Sequence, residues 1–298
     1  LEHILRKLKS NVAYVLLTMT CNSVGGQPIS LENIQKTAKL CRKYGKPLYY
    51  DIARFAENAF FIHEQEKRYH VWPVRKIIKE VMKYADGALM SAKKDAIVNM
   101  GGFIALRKKK LYEKISPYAI LNEGFLHYGG MSGRDMEALA EGLLEGTDEE
   151  YLRHRISQTK YLGNALHNLG IAVVRPIGGH AVYIDAGRML PHIGWNSFPA
   201  HALAIALYIA GGVRGVEIGS VMEGRDPKTK ENRKAPAELL RLALPRRVYS
   251  QEHLDYVISV FKELLKAKGR IKGVRFSYEA PILRHFSSRF RLVGGTLL

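Results

Sequence analysis

The chain has 298 residues, a net charge of +18, 47% hydrophobic and 25% charged residues, enough for one large or two ordinary domains with a sizeable core. No apolar run reaches the roughly 18 residues of a membrane span, and the two cysteines, Cys21 and Cys41, exclude a disulfide framework, lack metal-ligand spacing and fit a reducing cytoplasm. Basic residues are spread along the chain, with short clusters at 108–110 and 266–272 and no nucleic-acid motif beside them, so the charge reads first as a solvated surface, with binding of a polyanion such as nucleic acid as the alternative and no membrane partner.

The first residues, "LEHILRKLKS", lack the apolar stretch of a signal peptide and an initiating Met. "NVAYVLLTM" (11–19) is β-branched and apolar, which predicts a strand covered on both faces, and the turn-rich "TCNSVGGQP" follows its carboxyl end. Ser30 caps a helix over "LENIQKTAKLCRKYG", with Leu31, Ile34, Ala38 and Cys41 on one face and Gly45 as the stop. "KPLYYD" is the next strand, ending at Asp51. A polar, helix-prone segment covers 54–82, after which "ADGALMS" and "GGFIALR" read as a third and a fourth strand. Strand, helix, strand with short connections implies a parallel α/β sheet, and such sheets bind ligands at the carboxyl ends of their strands. Asn22, Asp51 and Lys94 all fall at or just beyond such ends.

The second half has another texture. A long amphipathic helix covers 148–170, and short strands follow at "AVVRP", "HAVYIDA" and "VRGVEIG", with an apolar helix at 199–210. "AELLRLALPR" is another strand, the polar loop 223–236 precedes it, and Ser250 caps the final long helix. The pattern predicts two domains: residues 1–147 in an α/β domain and 148–298 in a smaller α+β domain.

Asp51, Arg54 and Lys94 supply the groups that pyridoxal phosphate chemistry requires. A lysine holds the cofactor's aldehyde as a Schiff base, and a carboxylate keeps its pyridine nitrogen protonated so that the ring withdraws electrons. The spacing alone leaves surface charge and helix capping open as the reason for these residues.

The surrounding motifs narrow the choice. "NSVGGQP", "DIARFAENAFF", "MSAKKDAIVNMGG", "EGFLHYGG", "AELLRLALPRRVY" and "IKGVRFSYEAPILRHF" resemble, in this order and over nearly the whole chain, the β-eliminating lyases that act on tryptophan or tyrosine. The resemblance implies the pyridoxal-phosphate-dependent transferase-like fold (fold type I), a mainly parallel sheet with a smaller α+β C-terminal domain. In that reading residues 1–147 are the C-terminal part of the large cofactor-binding domain. It makes Lys94 the Schiff-base lysine, with Lys93 beside it shaping the site and its proton chemistry. Ser91 contacts the cofactor phosphate, Asp51 partners the pyridine nitrogen, and Arg54 and Asn22 lie around the ring oxygen. Arg241 forks onto the substrate carboxylate, a task suited to guanidinium, and the backbone carbonyl of Asn99 helps hold a monovalent cation, usually potassium. Each has a plainer competitor: Lys93 as a solvated neighbour, Ser91 as a turn cap, Arg54 in a helix-surface pair with Glu57, Arg241 in a structural ion pair.

Two positions bear on the substrate. The tyrosine-type enzymes carry an arginine where Ile218 stands, and isoleucine cannot donate to a phenol oxygen but can pack against an indole. In "LRHF" the chain carries His285, as the tryptophan-type enzymes do, although that residue also fits a half-buried structural histidine. "GGMSGRD" and "PRRVYS" look closer to the tyrosine type. The implied reaction is cleavage of L-tryptophan to indole, pyruvate and ammonia, with a tyrosine-type lyase or a non-catalytic subunit as alternatives. The resemblance further implies a cytoplasmic homotetramer with active sites at a dimer interface. It also implies that the family's N-terminal part is missing here, or supplied by a separate subunit.

Overall fold

A computed structural model describes residues 1–294. They fall into two compact units: Leu1–Asn22 with Gln27–Ile156, and Ser23–Gly26 with Ser157 onward.

In the first unit, α1 (Glu2–Leu8) leads into β1 (Val15–Thr18), α2 (Leu31–Lys43), β2 (Leu48–Asp51), α3 (Phe55–Gln65) and α4 (Val74–Met82). β3 (Gly87–Ser91), β4 (Gly102–Leu106), α5 (Lys109–Asn122) and α6 (Gly133–Glu145) follow, and the division between units falls within α7 (Glu149–Asn168). The strands form one sheet in the order β1-β2-β3-β4. β1, β2 and β3 are parallel, with Thr18 level with Asp51 and Asp51 level with Leu89. β4 runs antiparallel to β3, Ser91 opposite Gly102. The fourth strand therefore returns as a hairpin partner, and the lysine pair lies in the connection between the two.

α2 forms where the capping and periodicity signals place it. The Ser30 side chain accepts from the Asn33 amide at 3.1 Å, Leu31, Ile34, Ala38 and Cys41 are buried, and Gly45 takes a φ of 61° just past the end. The segment after β2 differs from its polar reading. Every residue from Phe55 to Ile62 is buried, Glu57 and Asn58 included. The Asn58 amide exchanges hydrogen bonds with the Ile29 backbone at 2.8 and 2.9 Å, and Glu57 receives Arg155 at 3.4 Å. Polar side chains satisfied in this way can lie in a core. β1 is also not covered on both faces: Leu16, Leu89 and Ile104, on one side of the sheet, are 42%, 42% and 57% exposed. The opposite side carries the core, with Leu48, Tyr50, Ala88 and Met90 packed on Ile34, Phe60 and Ile77.

In the second unit, β5 (Ala181–Asp185) and α8 (Ala186–Met189) precede α9 (Pro199–Gly211), β6 (Val216–Ile218), α10 (Ser220–Glu223) and β7 (Leu239–Ala243). α11 (Gln251–Ala267), β8 (Val274–Tyr278), α12 (Arg284–Ser287) and β9 (Arg289–Leu292) complete the described residues. β5, β7 and β6 form an antiparallel sheet with β7 in the middle, and β8 pairs with β9. Val182, Ile184, Leu240 and Leu242 from that sheet pack on Leu203 and Leu207 of α9 and Phe261 of α11. "AVVRP" contributes only an isolated bridge, Val173 to Ile184, where a strand was expected. Pro176 has no amide hydrogen to extend the ladder. Among the described residues no helix is long and apolar enough to cross a membrane; the apolar 199–211 run is a helix buried on one face, with Tyr208 and Ile209 exposed at its end, and burial pushes the His201 imidazole down to about 4.

Candidate active site

Asp51 ends β2 and Ser91 ends β3, so parallel pairing alone brings a carboxylate and a hydroxyl to neighbouring strand ends. Lys94 lies three residues beyond Ser91, and its Nζ donates to the Ser91 Oγ at 2.7 Å. Lys94 is half-buried, whereas Lys93, on the other side of the chain, is exposed. The two lysines are thus physically unlike, and only Lys94 is held toward the strand end. Asn99, further along the same connection, is exposed.

Asp51 turns its Oδ1 back onto the Ala53 amide at 3.0 Å. Arg54 is 7% exposed, with its Nη1 3.4 Å from the Thr20 carbonyl, while the Thr20 hydroxyl donates to the Arg54 carbonyl at 3.2 Å. Arg54 and Glu57 are both buried, so neither lies on the helix surface. These contacts tie the turn after β2 to the segment after β1, where Asn22 stands half-buried.

Asp95 was not singled out from the sequence, yet it fastens the lysine connection in place. Its Oδ2 accepts from the Ala56 and Glu57 amides at 2.8 and 3.1 Å, the first turn of α3, and its own amide donates to the Ala53 carbonyl at 3.2 Å. A carboxylate there satisfies orphan donors and complements the helix dipole. Gly142 of α6 and Gly146, just past its end, pack against the carbonyls of Ala96 and Asp95, where no Cβ would fit. Only the sequence neighbourhood of Lys94 hinted at Asp95, because its partners lie about 40 residues away in chain order.

The other predicted residues belong to the second unit. Arg241 is at the middle of β7, opposite Tyr183 of β5 and Val216 of β6. Its Nε is buried and has no hydrogen-bond partner, which leaves a charged donor for an anion and removes the structural ion pair as an explanation for that nitrogen. Ile218 ends β6 in a small apolar cluster with Ala181, Tyr183 and Leu239. His285, on α12, is half-buried and its ring lies 3.9 Å from that of Phe286. Two clefts, about 490 Å³ by Arg175 and Arg188 and about 390 Å³ beside β3 and β4, contain none of these residues; the chemistry of the strand ends locates the site better than cavity size.

Next to Ile218, the second unit buries two carboxylates. A Cβ on Gly219 would stand 2.6 Å from Glu238 Oε2 and 2.7 Å from Glu217 Oε1, so both acids close on one glycine. Burial pushes the Glu217 carboxyl up to about 7, against the opposing pull of the Val221 amide, and raises Glu238 as well. The folded protein then holds a proton on Glu217 that the unfolded chain, with its carboxyl near 4.5, has already lost. Stability is expected to be full below pH 4.5 and to fall by on the order of 3 kcal/mol as pH rises through about 7. Urea melts at pH 5 and pH 8 check this: Glu217→Gln should flatten most of the difference, and an equal drop in both proteins would contradict it.

The family described as Beta-eliminating lyase matches residues 1–259. A tryptophanase of Salinibacter ruber is 52% identical over 98% of this chain and 62% of its own length. A tyrosine phenol-lyase of Symbiobacterium sp. is 47% identical over 94% of this chain and 61% of its own. The chain thus spans about three fifths of the length of these relatives. Among solved structures, Sphingomonas wittichii serine palmitoyltransferase superposes with a TM-score of 0.60 at 16% identity, covering 90% of this chain and 58% of that one, which is a likeness of fold.

Proposed function

The chain belongs to the β-eliminating lyase family, with the α/β fold of type I, and from that premise we propose that it carries the lysine-bearing part of a pyridoxal-phosphate-dependent lyase. The substrate is L-tryptophan, cleaved with water to indole, pyruvate and ammonia. The observation that carries the reading is the Lys94–Ser91 hydrogen bond at the end of β3, next to the strand end that presents Asp51. An amine, a hydroxyl, a carboxylate and a buried guanidinium on neighbouring strand ends are the donor set this cofactor needs, so the residues fit it.

When bound, the cofactor supplies a ring that takes up the electrons left by loss of the substrate's α-proton. Lys94 Nζ would be its covalent anchor and, once the substrate's amine has displaced it from that bond, the free amine that accepts that proton. Asp51 holds a proton on the ring nitrogen, Ser91 donates to the phosphate, and Arg54 and Asn22 take the ring oxygen. Lys93, exposed beside Lys94, tunes proton movement there. Arg241, whose Nε is unclaimed, binds the substrate carboxylate. Ile218 packs on the indole and His285 faces it. The same proposal includes potassium at the Asn99 carbonyl, a cytoplasmic homotetramer with sites at a dimer interface, and further polypeptide completing the length that the relatives have.

Ile218 favours tryptophan over tyrosine, because its own side chain packs in an apolar cluster and has no donor to give a phenol oxygen. Indole release from tryptophan, set against phenol release from tyrosine with pyridoxal phosphate and potassium supplied, tests the reading. Faster phenol release would reverse it. Ile218→Arg is expected to lower tryptophan cleavage about a hundredfold and to raise the phenol-to-indole ratio, while Ile218→Val stays within a few fold of the parent.

A further inference from the structure

Residues 281–287 are built inside out. Ile282, Leu283 and Phe286 are 77%, 63% and 77% exposed, whereas the one arginine among them, Arg284, is 7% exposed. Buried charge and exposed apolar groups in one short turn are the reverse of ordinary partition, and the buried charge must be paired.

Arg284 is fully engaged. Its Nε donates to the Val221 carbonyl at 2.8 Å and its Nη2 to the Ser220 carbonyl at 2.7 Å. Its Nη1 donates to Asn232 Oδ1 and to Glu279 Oε1, both at 2.7 Å, and the guanidinium lies 5.1 Å from the Phe276 ring centre. Glu279 is itself gripped by Arg225, through contacts of 2.6 and 2.8 Å. The two carbonyls belong to α10, which starts two residues after Ile218. The neighbour on the other side is His285. Leu283, just before the arginine, has a φ of 50°, a left-handed conformation unusual for leucine that needs its surroundings to hold it.

We infer that Arg284 is a positioning residue: its guanidinium locks the turn carrying His285 and its apolar neighbours onto the end of β6, so that His285 and Ile218 meet an aryl group as one unit. The inference rests on the tryptophan reading above. It adds a determinant of aryl recognition that touches no substrate. Planar geometry matters here, since one fork serves carbonyls, a carboxamide and a carboxylate at once, which a lysine ammonium cannot reproduce. The apolar side chains beside it stay in water because the arginine, and not their own burial, fixes the turn.

The test uses the full chain labelled at its histidine rings and titrated with indole, read by NMR. In the wild type, indole should shift the His285 ring signals, assigned through His285→Gln. In Arg284→Met that shift should be lost and indole affinity should fall about tenfold, with Arg284→Lys between the two. The signals of His180, bonded to Tyr183, and of His192, bonded to the Ile271 carbonyl, should stay at their wild-type positions in both variants. Movement of all three histidines would mark Arg284 as merely structural and overturn the inference. An undiminished indole shift at His285 in Arg284→Met would overturn it too. If the wild type itself shows no His285 shift, it is the tryptophan reading underneath that fails.

Discussion

Lys94→Ala is expected to yield a folded protein that no longer joins pyridoxal phosphate covalently: the absorbance band of the lysine-bound cofactor disappears, and elimination falls more than about a thousandfold. The reason lies in the difference between two adjacent lysines. Lys93 is exposed and Lys94 is half-buried with its Nζ 2.7 Å from the Ser91 hydroxyl. Truncating Lys94 removes its hydrogen bond to Ser91 at a strand end, while the backbone of the connection is held by Asp95 and by the packing of Gly142 and Gly146. The fold therefore survives, and near-ultraviolet dichroism should match the parent. Lys93→Ala should retain the absorbance band. If the band instead persists in Lys94→Ala and vanishes in Lys93→Ala, the roles of the pair are exchanged and the assignment is wrong.

Asp95→Ala should produce the largest loss of stability among these substitutions, about 3 kcal/mol, read as a fall of about 5 °C or more in the melting temperature. Asp95 is 2% exposed, and its Oδ2 serves both the Ala56 and Glu57 amides. Alanine would strand two buried donors at the start of α3 and remove the negative charge opposite that helix end. Asparagine keeps an acceptor oxygen in the same place, so Asp95→Asn should cost about 1 kcal/mol. Because the lysine connection is lashed to α3 through this group, cofactor affinity should fall in parallel with stability. Unchanged melting in Asp95→Ala would show that the hydrogen bonds in question do not hold the turn.

How far the sequence could be read depended on whether a residue's partner was near it in the chain. α2 was legible in full, because the Ser30 cap, the apolar stripe from Leu31 to Cys41 and the Gly45 stop are all local signals. The strand ends at Asp51 and Ser91 were legible for the same reason, and with them the setting of Lys94. α3 was misread as polar because Glu57 and Asn58 look like surface residues until Arg155 and the Ile29 backbone are brought to them. Arg284 was passed over for its neighbour His285, since nothing within a few residues announces that it reaches carbonyls more than sixty positions earlier. The β8–β9 hairpin escaped because "RFRL" is short and charged, and its Phe290 finds Phe276 and Phe198 only in the fold. The antiparallel course of β4 could not be told from a parallel one by pattern, as either direction suits the same alternation.

The Glu57–Arg155 contact also sets an order of events on the ribosome. The two residues are 98 positions apart, so at common rates of synthesis the glutamate leaves the tunnel roughly 5–20 seconds before its arginine does. A buried carboxylate is stabilised by a cation beside it, and Glu57 gains this one only after that interval. The helix at the heart of the first unit, whose start carries the lysine connection, gains this long-range contact only when the beginning of α7 arrives. One support of the candidate site is thus added late in the making of this unit, by a residue that takes no part in its chemistry.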